Sequence, residues 1–468
     1  MIRRFLAGAV ALAALGAGSQ AAAQGAPGEA DFRALYKELI EINTTLSSGS
    51  CTEAAQAMAA RLKAAGYPDQ DLQLLIPPER PKDGALIATL HGRDARLKPI
   101  LLLAHVDVVE AKREDWVRDP FKLVEEGGYL YARGASDDKA MAATATDAMI
   151  RYRKEGFRPR RGIKLALTCG EETPETFNGV LWLIANHPQA LDAAFALNEG
   201  AGGRLDETGK PVFFGVQAGE KVYQDFTLEV TNPGGHSSRP VKDNAIYRLS
   251  ATLTRIGAYD FPIKLNAATK LHFERMGALM GGERGADMKA AAAGTATPEA
   301  FARIARDPGY NSMMRTTCVA TLVNAGHAQN ALPQRATANV NCRILPDETV
   351  AGTLATLTRL VDDPAVKVTT FGEPSPVPPP PPLNAALLGP AETVVAQMWP
   401  GVPVVPTMAT GATDGRFLNA AGVPTYGMTG FFGDPDGGGT HGLNERIRVK
   451  SLMDGREFLY RVVKLYAQ

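Results

Sequence analysis

Residues 99–107 read Pro99-Ile-Leu-Leu-Leu-Ala-His105-Val-Asp107, an apolar run of strand length that ends on a histidine and an acid. A run apolar on both faces suits a strand buried between two helical layers, not one with a solvated side. Leu86-Ile-Ala-Thr-Leu90 and Ile163-Lys-Leu-Ala-Leu167 have the same character, and helical spacing runs over residues 54–65 and 140–152. Residues 29–217 are therefore predicted to form an α/β unit with a sheet covered on each face. His105 and Asp107 lie two apart, so on a strand they point to the same side. A carboxylate so placed can orient a histidine for a metal, although His-x-Asp at a strand end also occurs for structural reasons alone.

Beyond residue 217 the pattern changes. Val222, Phe226, Leu228 and Val230 alternate with polar residues, and a helix with Ile246, Leu249, Leu253 and Ile256 on one face follows. Strand-like residues 317–323 and 337–345, a second amphipathic helix (Val350, Leu354, Leu357, Val361) and a strand at 366–371 complete the set. The order strand-helix-strand-strand-helix-strand describes a ferredoxin-like α+β unit over residues 218–372 with one exposed sheet face. Residues 257–315 lengthen it as a peripheral insertion. The proline run 378–382 reads as a stiff connector, after which residues 373–468 resume the α/β pattern. The second unit thus interrupts the first.

The whole chain has 468 residues with 50 Lys+Arg against 50 Asp+Glu, so it carries no basic footprint and nucleic acid is excluded as a partner. A single core rarely exceeds roughly 250–300 residues, which agrees with two units. Met1-Ile-Arg-Arg, a short apolar run and small residues ending at Ala23 form a secretory signal pattern, so residues 1–23 are expected to be removed and the protein to be secreted or periplasmic. The apolar run is shorter than a membrane span, and no membrane span is expected after cleavage. Four cysteines are too few for a disulfide scaffold; Cys318 and Cys342, both on strand-like runs, suit either a disulfide or two buried thiols.

Four further motifs carry chemistry. Ala135-Ser-Asp137-Asp138-Lys139 opens a helix, where acids also complement the helix N-terminus. Gly170-Glu171-Glu172 follows a strand, and two adjacent carboxylates there are costly to bury without a cation. Asn198-Glu199-Gly200 ends another apolar run, and His441 sits in the loop Gly439-Thr-His-Gly-Leu-Asn-Glu445. Two histidines and three carboxylates at the ends of α/β strands suit a pair of divalent cations such as Zn²⁺, with Co²⁺ or Mn²⁺ as alternatives.

Read in order, these motifs resemble the dinuclear-zinc metallopeptidase family of aminoacylase, carboxypeptidase S, glutamate carboxypeptidase, acetylornithine deacetylase and succinyl-diaminopimelate desuccinylase. Trp116-Val-Arg-Asp-Pro-Phe121 and Leu130-Tyr-Ala-Arg-Gly-Ala-Ser-Asp-Asp-Lys139 most resemble the aminoacylase and carboxypeptidase S branch. The resemblance implies a zinc-exopeptidase-like α/β domain with a mixed central sheet and an inserted lid that also dimerises. It implies metal ligands at His105, Asp137 (bridging), Glu172, Glu199 and His441, with Glu171 as general base and Asp107 as the partner of His105. The Asp137–Asp138 peptide is then expected to be cis. In the lid, His236 of Gly234-Gly-His-Ser-Ser would stabilise the oxyanion, sometimes from the neighbouring subunit. Asn330 of Asn330-Ala-Leu-Pro and Arg343 of Arg343-Ile-Leu-Pro would contact the substrate carboxylate, for which a bidentate arginine is well suited. This chain departs from the family at Asn198, where Asp is common, and at Ala132 and Ala140, where Gly is common.

The expected reaction is metal-assisted hydrolysis of an amide bond next to a free carboxylate, with Glu171 as base for a metal-activated water. A small peptide cut by an exopeptidase ranks first as substrate and an N-acyl amino acid second. An inactive binding protein on the same fold is disfavoured because all five ligands and the base are present.

Overall fold

The structure, a computed structural model, describes residues 27–468, so the leader expected at residues 1–23 lies outside the described residues. Among the described residues no helix is long and apolar enough to cross a membrane. A ten-stranded mixed sheet organises the larger part of the chain. Ile163–Thr168, Ile100–His105, Phe195–Asn198 and Thr425–Gly427 run side by side and parallel at its centre. Ala85–Leu90 joins antiparallel to Ile163–Thr168, and Leu72–Leu75 closes that edge. On the other side lies the long strand Pro211–Glu220, against which Val404–Ala409 pairs in parallel.

All six residues of Ile100–His105 are buried, as a doubly covered strand requires. Its Leu102 and Ala104 face one side, where helices Glu29–Glu41, Cys51–Ala64, Lys139–Lys154 and Val449–Tyr466 supply the main core. Leu101 and Leu103 face the other, packed with Val180, Leu183 and Phe417. Three of the central parallel strands end at or just before His105, Glu171 and Glu199, so the sheet delivers those side chains to one edge.

A second, antiparallel sheet has the order Thr317–Ala325, Arg335–Ile344, Val222–Thr231, Val366–Thr370, with helices Ala245–Gly257 and Val350–Val361 covering one face. Its buried Phe226, Leu228, Val340, Cys342 and Ile344 alternate with half-exposed Asp225, Asn339, Asn341 and Arg343, the pattern expected of a one-sided sheet. Cys318 and Cys342 stand directly opposite in register and form a disulfide, resolving the alternative left open by the sequence. A second disulfide, Cys51–Cys169, has no local signal in the sequence, because its partners are 118 residues apart and meet only through the packing of a helix start on a strand end.

Residues 257–315 are less peripheral than expected. Their helices Ala267–Met280, Gly282–Ala293, Pro298–Ile304 and Pro308–Met314 build a cluster in which Phe273, Met276, Met288 and Met314 surround Val405 of the large sheet. Arg275 Nη1 donates to the Val404 carbonyl at 2.6 Å and His272 Nδ1 to that of Pro406 at 3.0 Å. Lys221, fully buried where the large sheet hands over to the small one, donates to the carbonyls of Ser312 (2.9 Å) and Arg315 (2.8 Å) and to Thr317 Oγ1 (3.0 Å). The insertion is therefore anchored to both sheets. Phe273→Ala is expected to cost about 3–5 kcal/mol and to lower the urea midpoint of the catalytic part. A midpoint unchanged by the substitution would mean that these helices are an independent appendage.

Candidate metal centre

His105 ends its strand with the ring buried. Its Nδ1 lies 3.0 Å from the Asp107 carbonyl oxygen and 3.5 Å from Asp107 Oδ1, so the main chain is the nearer acceptor and leaves Nε2 for a metal. The Asp107 carboxylate looks the other way as well, accepting from the Glu171 N–H at 3.4 Å and the Glu172 N–H at 3.0 Å. It thereby links the histidine to the turn that carries both glutamates. Gly170 begins that turn at φ +88°, and a Cβ there would stand 2.3 Å from the Phe177 carbonyl oxygen, so only glycine fits.

Asp137 lies in the loop before helix Lys139–Lys154, and its peptide to Asp138 is cis. The loop is held by an acid from a segment distant in sequence. Glu445, fully buried, accepts from the backbone N–H groups of Gly134 (3.1 Å), Ser136 (2.8 Å) and Asp137 (3.1 Å), and from Arg133 Nη1 at 2.8 Å. Three amides of this loop converging on one carboxylate fix the direction in which Asp137 points. The same short loop, 439–445, carries His441 at φ 59°, so one segment supplies both a candidate ligand and the clamp on the Asp137 loop.

The decisive geometry is at Asp137, whose two oxygens face different partners. Oδ1 is 3.2 Å from His105 Nε2, which is also 3.8 Å from Glu199 Oε2. Oδ2 is 3.0 Å from His441 Nε2, which is 3.0 Å from Glu172 Oε1. Two donor sets result, His105–Asp137–Glu199 and Asp137–Glu172–His441, each with its ligand atoms within 4.8 Å of one another and sharing one carboxylate. Such N/O sets suit Zn²⁺ or a similar divalent ion, with positions left open for water and substrate.

Electrostatics favour cations here. Burial opposes charge on His105, yet Glu199, Asp107 and Asp137 raise its pKa well above normal. Hydrogen bonds that its ring donates to Asp137 and Glu172 raise His441 to about 10. Burial, and then Glu199, pushes the Glu171 carboxyl up to about 10, while burial holds Asp138 and Glu199 high. Without metal the cluster can shed its mutual repulsion only by taking up protons. Two divalent cations held by these residues would relieve the same repulsion.

The sequence profile of Peptidase family M20/M25/M40 matches residues 101–465. The chain belongs to this family. Together with the two donor sets, membership makes it a metal-dependent hydrolase. It is 28% identical over 388 residues to the mouse N-fatty-acyl-amino acid synthase/hydrolase PM20D1, covering 80% of this chain and 76% of the relative. It is also 28% identical over 397 residues to a probable carboxypeptidase S-like 2 of Dictyostelium discoideum, covering 81% and 74%. In fold it is similar to the M20 family metallo-carboxypeptidase Sso-CP2 of Sulfolobus solfataricus (TM-score 0.70, 18% identity, 93% of this chain and 99% of that one). Human carnosine dipeptidase 1 gives a TM-score of 0.64 at 16% identity, with 94% and 97% covered.

The lid residues are placed differently. His236 lies on a two-stranded ribbon and Asn330 directly precedes its second strand, where Ser237 N–H donates to the Asn330 carbonyl at 2.9 Å. His236 Nδ1 is 2.8 Å from Ser238 Oγ, its ring is exposed, and among the described residues no hydrogen bond ties either residue to the metal-side cluster. Arg343 projects from the polar face of the small sheet over the Tyr223 ring. Behind Glu199, the chain's Asn198 donates through Nδ2 to Thr413 Oγ1 at 3.2 Å, and Thr413 donates to Glu220 Oε2 through its N–H (2.8 Å) and Oγ1 (3.0 Å). An aspartate at 198 would have no N–H to give to Thr413.

Glu445→Gln removes half of a buried ion pair and is expected to cost about 3–5 kcal/mol of stability and to weaken metal binding roughly 10–100-fold, read by metal titration. Burial pushes the Glu220 carboxyl up to about 8 from its ordinary 4.5. The native state therefore binds more protons than the unfolded chain between those values, and stability falls as pH rises through the window. Glu220→Gln should flatten that slope, measured as the difference in urea midpoint between pH 5 and pH 8.

Proposed function

We propose that this chain is a dinuclear-metal exopeptidase that hydrolyses the amide bond next to the free carboxylate of a small peptide. The observation carrying the reading is that Asp137 presents one oxygen to His105 and Glu199 and the other to Glu172 and His441, with Glu171 one residue from a ligand. When bound, the ions would polarise the scissile carbonyl and lower the pKa of an attacking water. Glu171, fixed through its N–H by Asp107, would take the water proton and pass it to the leaving amine. Arg343, stacked over the Tyr223 ring and in no ion pair among the described residues, is suited to the substrate carboxylate. His236, its Nδ1 engaged by Ser238, has Nε2 free to stabilise the oxyanion. The exposed ribbon that carries it agrees with a histidine delivered by lid movement or by the lid of a second copy in a homodimer.

A second reading, hydrolysis of N-acyl amino acids, is favoured by the N-fatty-acyl-amino acid hydrolases among the relatives. Both readings use the same carboxylate contact and differ in what lies on the acyl side. The leader pattern supports a secreted or periplasmic address in either case. Glu171→Ala is expected to lower kcat by at least about 10²–10⁴ while metal content stays at two per chain. Activity close to that of the unsubstituted enzyme would remove Glu171 as the base. A screen of dipeptides against N-acyl amino acids of increasing chain length decides between the two substrate classes.

A further inference from the structure

The Cys51–Cys169 disulfide lies against the back of the metal centre. Cys169 directly precedes Gly170-Glu171-Glu172, and the sulfurs of both cysteines lie within 4.8 Å of an Asp107 carboxylate oxygen and of each other, all three residues buried. Asp107 is the acid that accepts from the Glu171 and Glu172 N–H groups. We propose that this pair is a redox-gated metal site: closed, it braces the glutamate turn, and opened by a dithiol or phosphine reductant, its thiolates join Asp107 to hold a third divalent cation.

Both sulfurs are carried by fixed backbone. Cys51 is the first residue of helix Cys51–Ala64, whose cap Ser50 accepts from the Glu53 N–H, and Thr52 N–H donates to the Lys82 carbonyl at 2.9 Å. The Cys169 carbonyl accepts from the Gly179 N–H at 2.7 Å. Reduction therefore separates the sulfurs without carrying them away. Tetrahedral zinc with Zn–S bonds of about 2.3 Å needs its two sulfurs about 3.8 Å apart, a displacement that side-chain rotation supplies. Two thiolates and a carboxylate form a soft, anionic set suited to zinc or cobalt. A narrow cavity of about 10 Å³, lined by residues including Leu46, Asp83, Phe177 and both cysteines, lies against the pair and has room for about one water, beside half-exposed Leu46. The Cys318–Cys342 disulfide has no acid or histidine grouped with it among the described residues and serves as an internal control.

The chemistry balances simply. A phosphine and one water convert the disulfide into two thiols and a phosphine oxide. The incoming divalent ion then displaces two thiol protons to solvent and binds the Asp107 carboxylate as it stands. An Asp107 engaged in this way withdraws from the Glu171 and Glu172 N–H groups, so turnover falls. That consequence rests on the role proposed for Glu171, whereas the metal count does not.

The test loads the full chain with Co²⁺ before and after phosphine reduction, with excess reductant removed. The expected result is a rise from two to three cobalt ions per chain, with a thiolate-to-cobalt charge-transfer band appearing only on reduction. Cys51→Ala/Cys169→Ala should hold two ions and show no band, and Cys318→Val/Cys342→Val should behave as the unsubstituted chain does. Reduced protein that gains no ion, a band that persists in Cys51→Ala/Cys169→Ala, or reduced protein that unfolds and loses metal each overturns the proposal. An oxidised chain holding fewer than two ions contradicts the dinuclear reading instead, and the gain of one ion on reduction is then still read separately.

Discussion

Asp137, Asp138, Glu171, Glu172 and Glu199 are brought to one sheet edge beside His105 and His441, and like charges at such separations repel strongly in a partly buried site. Left alone, the group lowers its energy only by binding protons, which is why the histidines and several carboxyls are held far from their ordinary pKa values. Divalent cations meet the same need with greater charge density. Much of the surrounding structure can be understood as holding these acids together despite their repulsion.

That support comes from hydrogen-bond donors rather than from apolar packing alone. Glu445 gathers the Gly134, Ser136 and Asp137 amides, Asp107 gathers those of Glu171 and Glu172, and Thr413 anchors Glu220 behind Asn198. Each brace comes from a segment distant in sequence, so the metal edge is rigid in a way no single motif provides. The small sheet presents its polar face with Arg343, and the helical insertion bridges both sheets through Val405 and Lys221. The part of the molecule expected to move over substrate is thus tied at its base to the part that holds the metals.

Much of this was legible in the chain. The fully apolar run ending at His105 reported a doubly covered strand because burial on both faces leaves no room for alternation. The alternation of Phe226 and Leu228 with polar neighbours reported a one-sided sheet for the converse reason. The five ligand candidates stood out because acids and histidines at the ends of apolar strands are costly unless a cation compensates them. Hidden from the sequence were Glu445, the Cys51–Cys169 pair and the docking of Phe273 on Val405, since none has a local pattern. A glutamate that clamps backbone amides looks, in one dimension, like any loop acid.

The sequence by itself therefore determined which residues are available for metal chemistry and on what kind of elements they sit, because periodicity and polarity are local properties that burial enforces residue by residue. Only the tertiary structure decided that one oxygen of Asp137 faces His105 and the other His441, and that a disulfide stands behind Asp107. Those facts depend on how strands and loops separated by tens to hundreds of residues are oriented when they meet, and orientation at the sheet edge is set by the packing of the whole domain.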